Sequence, residues 1–364
     1  MASPAPHRPP LSVTELPSVP TPATRRVSVG REVVYESLRT LASNPLTLAG
    51  FVIVVLLVVV AVLLLVIPPV TAFLFRHAYT LLPYDPNGLG TDTTVGPTWW
   101  TWPLQFPPNL SHILGTDELG QDIFSRVLAA LPLDLGIGMF VTFLSVAIGG
   151  ALGLVAGFWD EGRVGRTAST VILRITDIFL AFPSLVLALA LAATLGRNLN
   201  ATLIALTATW WPYYVRIVRG EVLVIKHQGF IPAARIAGVS EPLIVLRHVL
   251  RNLLEPLTVY ATLDIGSVIV TFSTIAFVGI AVAPNIPEWG SMIAYYQGNF
   301  YPSALWLVFA PGAAIFVTVL GFSLLGDGLR DVLDPRTRRA FAREAQSSTL
   351  PEPSPPPLAV AEEE

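Results

Sequence analysis

Val and Leu fill Phe51–Val66 with no polar or charged interruption. A membrane span needs ~20 mainly apolar residues to cross ~30 Å of hydrocarbon. Extended to about Leu46–Phe75, this run meets that length. Five more segments qualify, at about Leu133–Phe158, Val171–Leu195, Ala201–Val218, Pro256–Ala281 and Ala304–Leu325. The fourth is the shortest. The expected fold class is an all-α polytopic membrane protein with about six transmembrane helices. Composition agrees, because charged residues make up 13% of the chain and hydrophobic residues 53%.

Arginine and lysine accumulate in cytoplasmic loops. Placing both termini in the cytoplasm leaves 19 of the 22 basic residues inside, all but Arg76, Arg126 and Arg197. The opposite orientation reverses that ratio. The expected layout is then a cytoplasmic, largely disordered tail at 1–44 and a first transmembrane helix at 45–75. An extracytoplasmic segment follows at 76–132, then a five-helix core at 133–327 and a cytoplasmic tail at 328–364. No apolar h-region lies near Met1, so no signal peptide is expected.

Several chemistries are excluded. There is no cysteine, which removes disulfides, thiolate metal sites and cysteine nucleophiles. The sole lysine, Lys226, lies in no Gly-x-x-x-x-Gly-Lys-Ser/Thr loop, so the chain is not itself a P-loop ATPase. The five histidines form no metal-ligand pair, and no serine elbow is present. No cofactor is expected.

Between the fourth and fifth apolar segments runs a polar interruption, Glu221–Asn252, within a loop at 219–255. It carries Lys226, Arg235, Arg247 and Arg251 and keeps apolar residues at helical spacing. A basic, helical, cytoplasmic loop of this length suggests a docking surface for a soluble partner.

Other features have more than one reading. The second segment holds Gly136, Gly138, Gly149, Gly150, Gly153 and Gly157, which permit close helix approach. The partner helix belongs either to this chain or to a second membrane subunit. Pro183 and Pro311 are expected to kink their helices. Trp99, Trp100 and Trp102 beside Phe106 suit interfacial anchoring, or a contact with sugar or partner. Asp117, Glu118 and Asp122 either hold a cation, or Thr116 or Asp117 caps a helix continuing through Ile123 and Arg126. Asp177 follows Arg174 by one helical turn and is expected to pair with it. Asp264 lies inside the fifth segment with no acid or base one turn away. Such residues usually face a bundle interior or a water-filled path, so Asp264 is a candidate for the translocation path or a subunit contact.

An ordered set of short stretches then resembles a family. Asn44-Pro45 and Tyr84-Asp85-Pro86 come first. Leu114-Gly-Thr-Asp-Glu-Leu-Gly-Gln-Asp-Ile-Phe-Ser-Arg126 is similar to the family's Leu-Gly-Thr-Asp-x-x-Gly-Arg-Asp-x-x-Ser-Arg. Asp177 with Ala181-Phe182-Pro183-Ser184, Val215-Arg216, Val218-Arg219-Gly220, Trp289-Gly290 and Gly326–Arg336 follow. Together they resemble the permease subunit of binding-protein-dependent ABC importers of the dipeptide/oligopeptide/nickel group, in the form with an extra N-terminal helix.

The resemblance implies the type I ABC importer permease fold and assigns the polar interruption as the ATPase-coupling loop. Ala233, Ala234 and Gly238 match the family's Glu-Ala-Ala-x-x-x-Gly, and Leu250 matches the Leu of a distal Leu-Pro. Arg235 and Arg247 lie between these matches. Pro232 stands where the family has Glu, Arg251 where it has Pro, and Gln121 where it has Arg. Pro232 suits the first position of a coupling helix. An insert at about 87–109 also departs from the family. The implied partners are a second permease, two ATP-binding subunits, an extracytoplasmic solute-binding protein and membrane lipid, with no nucleic acid. ATP would drive rocking of the helices, and the chain would do no bond chemistry. Peptide is the first expectation for the solute, with oligosaccharides or nickel complexes as alternatives. A gradient-driven secondary transporter is the competing class; such carriers often show internal repeats, and none is evident.

Overall fold

The computed structural model describes residues 44–75, 82–86, 108, 110, 112–117, 119–283, 286–298 and 305–333. Both tails, Glu118, the three tryptophans of 99–102 and nearly all of the 87–109 insert lie outside these residues. The helices are α1 (Pro45–Phe75), α2 (Ile123–Phe158), α3 (Gly162–Leu180), α4 (Ser184–Leu195), α5 (Leu199–Lys226) and α6 (Phe230–Ile236). They continue as α7 (Glu241–Phe277), α8 (Trp289–Gly298) and α9 (Trp306–Leu333). A π-helical turn, Val245–Val249, interrupts α7 near its start.

By length and composition α1, α2, α7 and α9 can each cross a membrane. The third expected span is the pair α3 and α4, bent by 87° at a short break. Pro183 sits in that break. Proline lacks the N–H that a continuing helix needs and disfavours helix in the residue before it. The result is a sharp turn rather than a kink. Pro311, by contrast, is accommodated inside continuous α9. The fourth expected span coincides with α5, which Trp210, Trp211, Tyr213, Tyr214, Arg216 and Arg219 make less apolar. It is buried along much of its length by its neighbours, so it has little need of a lipid-compatible surface. α2 begins at Ile123, before the expected Leu133. Its 36 residues span about 54 Å at 1.5 Å rise per residue, so it overshoots the hydrocarbon.

Four of the α2 glycines pack within this chain, three of them against α5. A Cβ on Gly149 would lie 2.3 Å from the Trp211 carbonyl oxygen, and one on Gly153 would lie 2.7 Å from that of Val215. At Gly157 it would meet Val222 at 3.0 Å. The α2 stripe is therefore a seat for α5. Gly138 faces Ile269 of α7, whereas Gly136 and Gly150 have nothing within 4 Å among the described residues.

The Ile123 end of α2 is tied by polar side chains. Asp122 is the N-cap: its Oδ2 accepts from Ser125 N–H at 2.8 Å, and its Oδ1 meets His112 Nδ1 at 2.9 Å. The expected caps, Thr116 and Asp117, lie earlier, because Asp117 instead closes the preceding turn. Its Oδ1 accepts from Leu119 N–H at 3.0 Å and Gln121 N–H at 2.8 Å. Gln121, in place of arginine, accepts from Arg126, whose guanidinium also reaches the Pro86 carbonyl at 2.9 Å. α8 is locked onto α2 by Trp289, whose indole donates to the Val127 carbonyl at 3.0 Å.

Candidate functional site

The polar interruption folds back against the Phe158 end of α2. α5 runs to Lys226, and α6 follows a short turn. Ile231 anchors α6; it is fully buried in a cluster with Phe158, Val222, Ile225, Ile244 and Val249. Pro232 occupies the third position of α6 rather than the first. The first-turn N–H groups have no intrahelical acceptor, so proline is tolerated there too. Gly238 ends α6 at φ +79°. Its N–H bonds the Arg235 carbonyl at 3.0 Å, and Val239 N–H bonds that of Ala234 at 3.1 Å. This is a Schellman closure, whose left-handed residue is usually glycine. Gly238 therefore shapes the loop end.

Pro232, Ala233, Arg235, Gly238, Arg247 and Arg251 are exposed or nearly so, while Ala234 and Leu250 are half-buried. Ala234 packs against the core beside Ile231. Arg247 lies in the π-helical turn, and Leu250 and Arg251 follow it in α7. With Arg rather than Pro at 251, the helix continues with its backbone donor intact. The periodic apolar residues divide into two sets that the sequence pattern does not separate. Ile231, Ile244, Val245 and Val249 face inward. Ile236 is 89% exposed, Leu246 66% and Leu243 45%. These three leave a bare apolar surface on an otherwise polar segment.

This surface is braced from behind. Lys226, almost wholly buried, reaches Asp160 at 2.6 Å and Glu161 at 2.8 Å in the turn between α2 and α3. Burial works against the Lys226 charge, but the two hydrogen bonds outweigh it and raise its pKa. The same bonds hold Asp160 and Glu161 below the ordinary carboxylate range. Arg235 pairs with Glu241 at 2.9 Å and lies 5.8 Å from the Phe158 ring centroid. Arg235 thus ties α6 to α2 and α7, while Lys226 fixes the end of α5 that leads into it.

Midway along α5 and α7 lies a cavity of about 270 Å³. Asp264 lines it with Trp210, Tyr213, Tyr214, Tyr260 and Ser267. Tyr214 donates to Asp264 Oδ2 at 2.9 Å. Asp177 is not paired with Arg174 as expected. It meets Arg216 of α5 at 2.6 Å, because the bend after α3 brings the two helices side by side. Two buried acids lie outside the sequence-derived set, Asp134 in α2 and Glu288 before α8. Glu288 accepts from Gly290 N–H at 2.8 Å and Ser291 N–H at 2.6 Å. Asp134 accepts from Trp289 N–H at 3.3 Å. The signal that could have found it is a lone aspartate in Leu133-Asp134-Leu135.

Residues 149–339 match the model of the family described as binding-protein-dependent transport system inner membrane component. The probable D,D-dipeptide transport system permease protein DdpC of Escherichia coli (strain K12) is 39% identical over 256 residues, covering 70% of this chain and 80% of that protein. The chain belongs to this family. The dipeptide transport system permease protein DppC of Alkalihalophilus pseudofirmus is 40% identical over 231 residues, 64% of this chain and 74% of its own. The glutathione transport system permease protein GsiD of Escherichia coli O6:K15:H31 is 40% identical, with the same coverage of each chain. A solved structure of the MetNI methionine ABC transporter in inward facing conformations aligns with a TM-score of 0.47 at 21% identity, over 58% of this chain and 95% of that one.

This permease is therefore a multi-pass inner-membrane component of an ABC importer. Its Lys226 clamp yields a first expected outcome. The Asp160 and Glu161 contributions are present above the ordinary values of 3.8 and 4.5 and fade as pH falls through their lowered pKa values. The Lys226 contribution is full below 10.5 and fades as pH rises through its raised pKa. The clamp should hold unchanged across neutral pH. Lys226→Met should leave the permease folded but speed amide exchange across Phe230–Ile236 several-fold. Unchanged exchange would mean that α6 is held by Ile231 and Arg235 without the clamp.

Proposed function

We propose that this permease carries peptides, forming the solute path with a second permease and taking its drive from two ATP-binding subunits. An extracytoplasmic binding protein delivers the solute. In this reading both termini are cytoplasmic, residues 76–132 lie outside, and the chain itself hydrolyses nothing. The observation that carries it is α6: a capped, clamped helix that presents Ala233 and Ile236 outward. Pro232, Ala233, Arg235, Gly238, Arg247 and Arg251 form or flank the ATPase contact, while Ala234 and Leu250 seat it on the core. Asp264 faces the translocation path. Small residues at the contact permit tight docking, which rigid-body transmission requires. The peptide reading is supported by the names of the relatives, which include dipeptide and glutathione transport permeases.

The test is gentle extraction of the tagged chain from native membranes. Co-purification of a second multi-spanning permease and P-loop ATPases supports the assembly. Recovery of the chain alone, under conditions that keep a control importer intact, points to a gradient-driven carrier. Uptake of dialanine by the recovered complex with its binding protein then tests the solute class.

A further inference from the structure

We propose that the cavity around Asp264 is a mid-span station that receives the protonated amino group of the solute. The idea deepens the peptide reading above and rests on it for the identity of the amine. Its chemistry comes from three features of the cavity. The Asp264 carboxylate is fixed by the Tyr214 hydroxyl, and Trp210 lines the cavity beside it. That donor uses about one of the roughly four acceptor positions of a carboxylate. Among the described residues the lining contains no Lys, Arg or His, and the nearby Arg216 is turned to Asp177. A charge at this depth is costly unless it meets a counter-ion or a water-filled path. The walls are aromatic: Trp210, Tyr213, Tyr214 and Tyr260. Ring faces attract cations and repel anions. Tyr213 and Tyr260 are 47% and 40% exposed, so this half-cage opens away from the chain's own core. Its volume of about 270 Å³ is at or below the small end of ligand sites, ~300–1,000 Å³. That suits one charged end of a solute rather than a whole extended chain.

The test uses the assembled importer in proteoliposomes. A hydrophobic carbodiimide modifies carboxyl groups within the membrane, and mass spectrometry of the Asp264 fragment reads the rate. Dialanine should slow modification of Asp264 at least about fivefold, and N-acetyl-dialanine, which lacks the ammonium, should not. Asp264→Asn should lower dialanine uptake at least about tenfold while the ATPases still co-purify. Equal protection by both peptides, no protection by either, or full uptake by Asp264→Asn would overturn the proposal. If the wild-type importer takes up no dialanine, the peptide reading fails. The station is then judged on the same fragment with n-butylammonium against n-butanol. Protection by the amine alone sustains it, and any other pattern ends it.

Discussion

Gly149→Val and Gly153→Val, made singly, are each expected to abolish accumulation of the folded permease. At Gly149 the new Cβ would sit 2.3 Å from the Trp211 carbonyl oxygen and 2.6 Å from Tyr214 Cβ. At Gly153 it would sit 2.7 Å from the Val215 carbonyl oxygen and 2.9 Å from Val218 Cβ. Backbone carbonyls cannot rotate aside as a side chain can. The two helices would have to separate, and α5 supplies much of the core: Leu206, Tyr214, Val218, Val222 and Ile225 are all buried there. Ordinary overpacking costs ~1–3 kcal/mol, and prising apart two backbones exceeds that range. Gly150→Ala is the control. Among the described residues nothing lies within 4 Å of the position its methyl group would take, so it should accumulate normally. The readout is the monodisperse fraction after detergent extraction and size-exclusion chromatography. Wild-type yield from Gly153→Val would mean that the α2–α5 spacing is wrong.

The same contrast explains what the sequence could reveal. α1 is legible because lipid contact imposes apolarity all along it, and Phe51–Val66 satisfies that demand locally. α5 is marginal because its solvent is the rest of the protein, which tolerates Trp210, Tyr214 and Arg216. The capping side chain at α2 is misplaced for a related reason. Thr116, Asp117 and Asp122 have similar capping chemistry, and only the turn closed by Asp117 decides that Asp122 opens the helix. Asp177 finds Arg216, 39 residues away, where local spacing offers only Arg174. The segment proposed for ATPase contact is visible as a basic, periodic interruption. What it lacks is direction, since Ile231 and Ile236 are equivalent as letters, and burial of one exposes the other. Asp264 stands out because a lone acid in an apolar run is conspicuous, but its donor Tyr214 lies on another helix.

Direction is what the second expected result exploits. Ile236→Asp should leave the permease folded yet lower ATP-driven uptake about tenfold or more, with loss of the ATPases on purification. Ile236 is 89% exposed, so the chain's own core loses almost nothing. A partner that covers it would gain ~1.5–3 kcal/mol from burying such a side chain, which corresponds to roughly 10- to 150-fold in affinity at ~1.4 kcal/mol per tenfold. A carboxylate there forfeits that gain and adds a desolvation cost. Ala233→Trp, also on the exposed side, should act similarly by bulk. Ile231→Ala is the contrasting variant: its side chain is fully buried, so it should lower the stability of the permease itself. The reason to expect an effect on transport is the packing behind α6. One buried cluster runs from Ile231 through Ile225, Val222 and Val218 to Trp210 and Tyr214, and Tyr214 holds Asp264. A displacement of α6 has a contiguous, close-packed route to the cavity, while the Lys226 clamp ties the same motion to the turn after α2. If Ile236→Asp retains its ATPases and full uptake, α6 is not the docking helix, and the drive must enter the permease elsewhere.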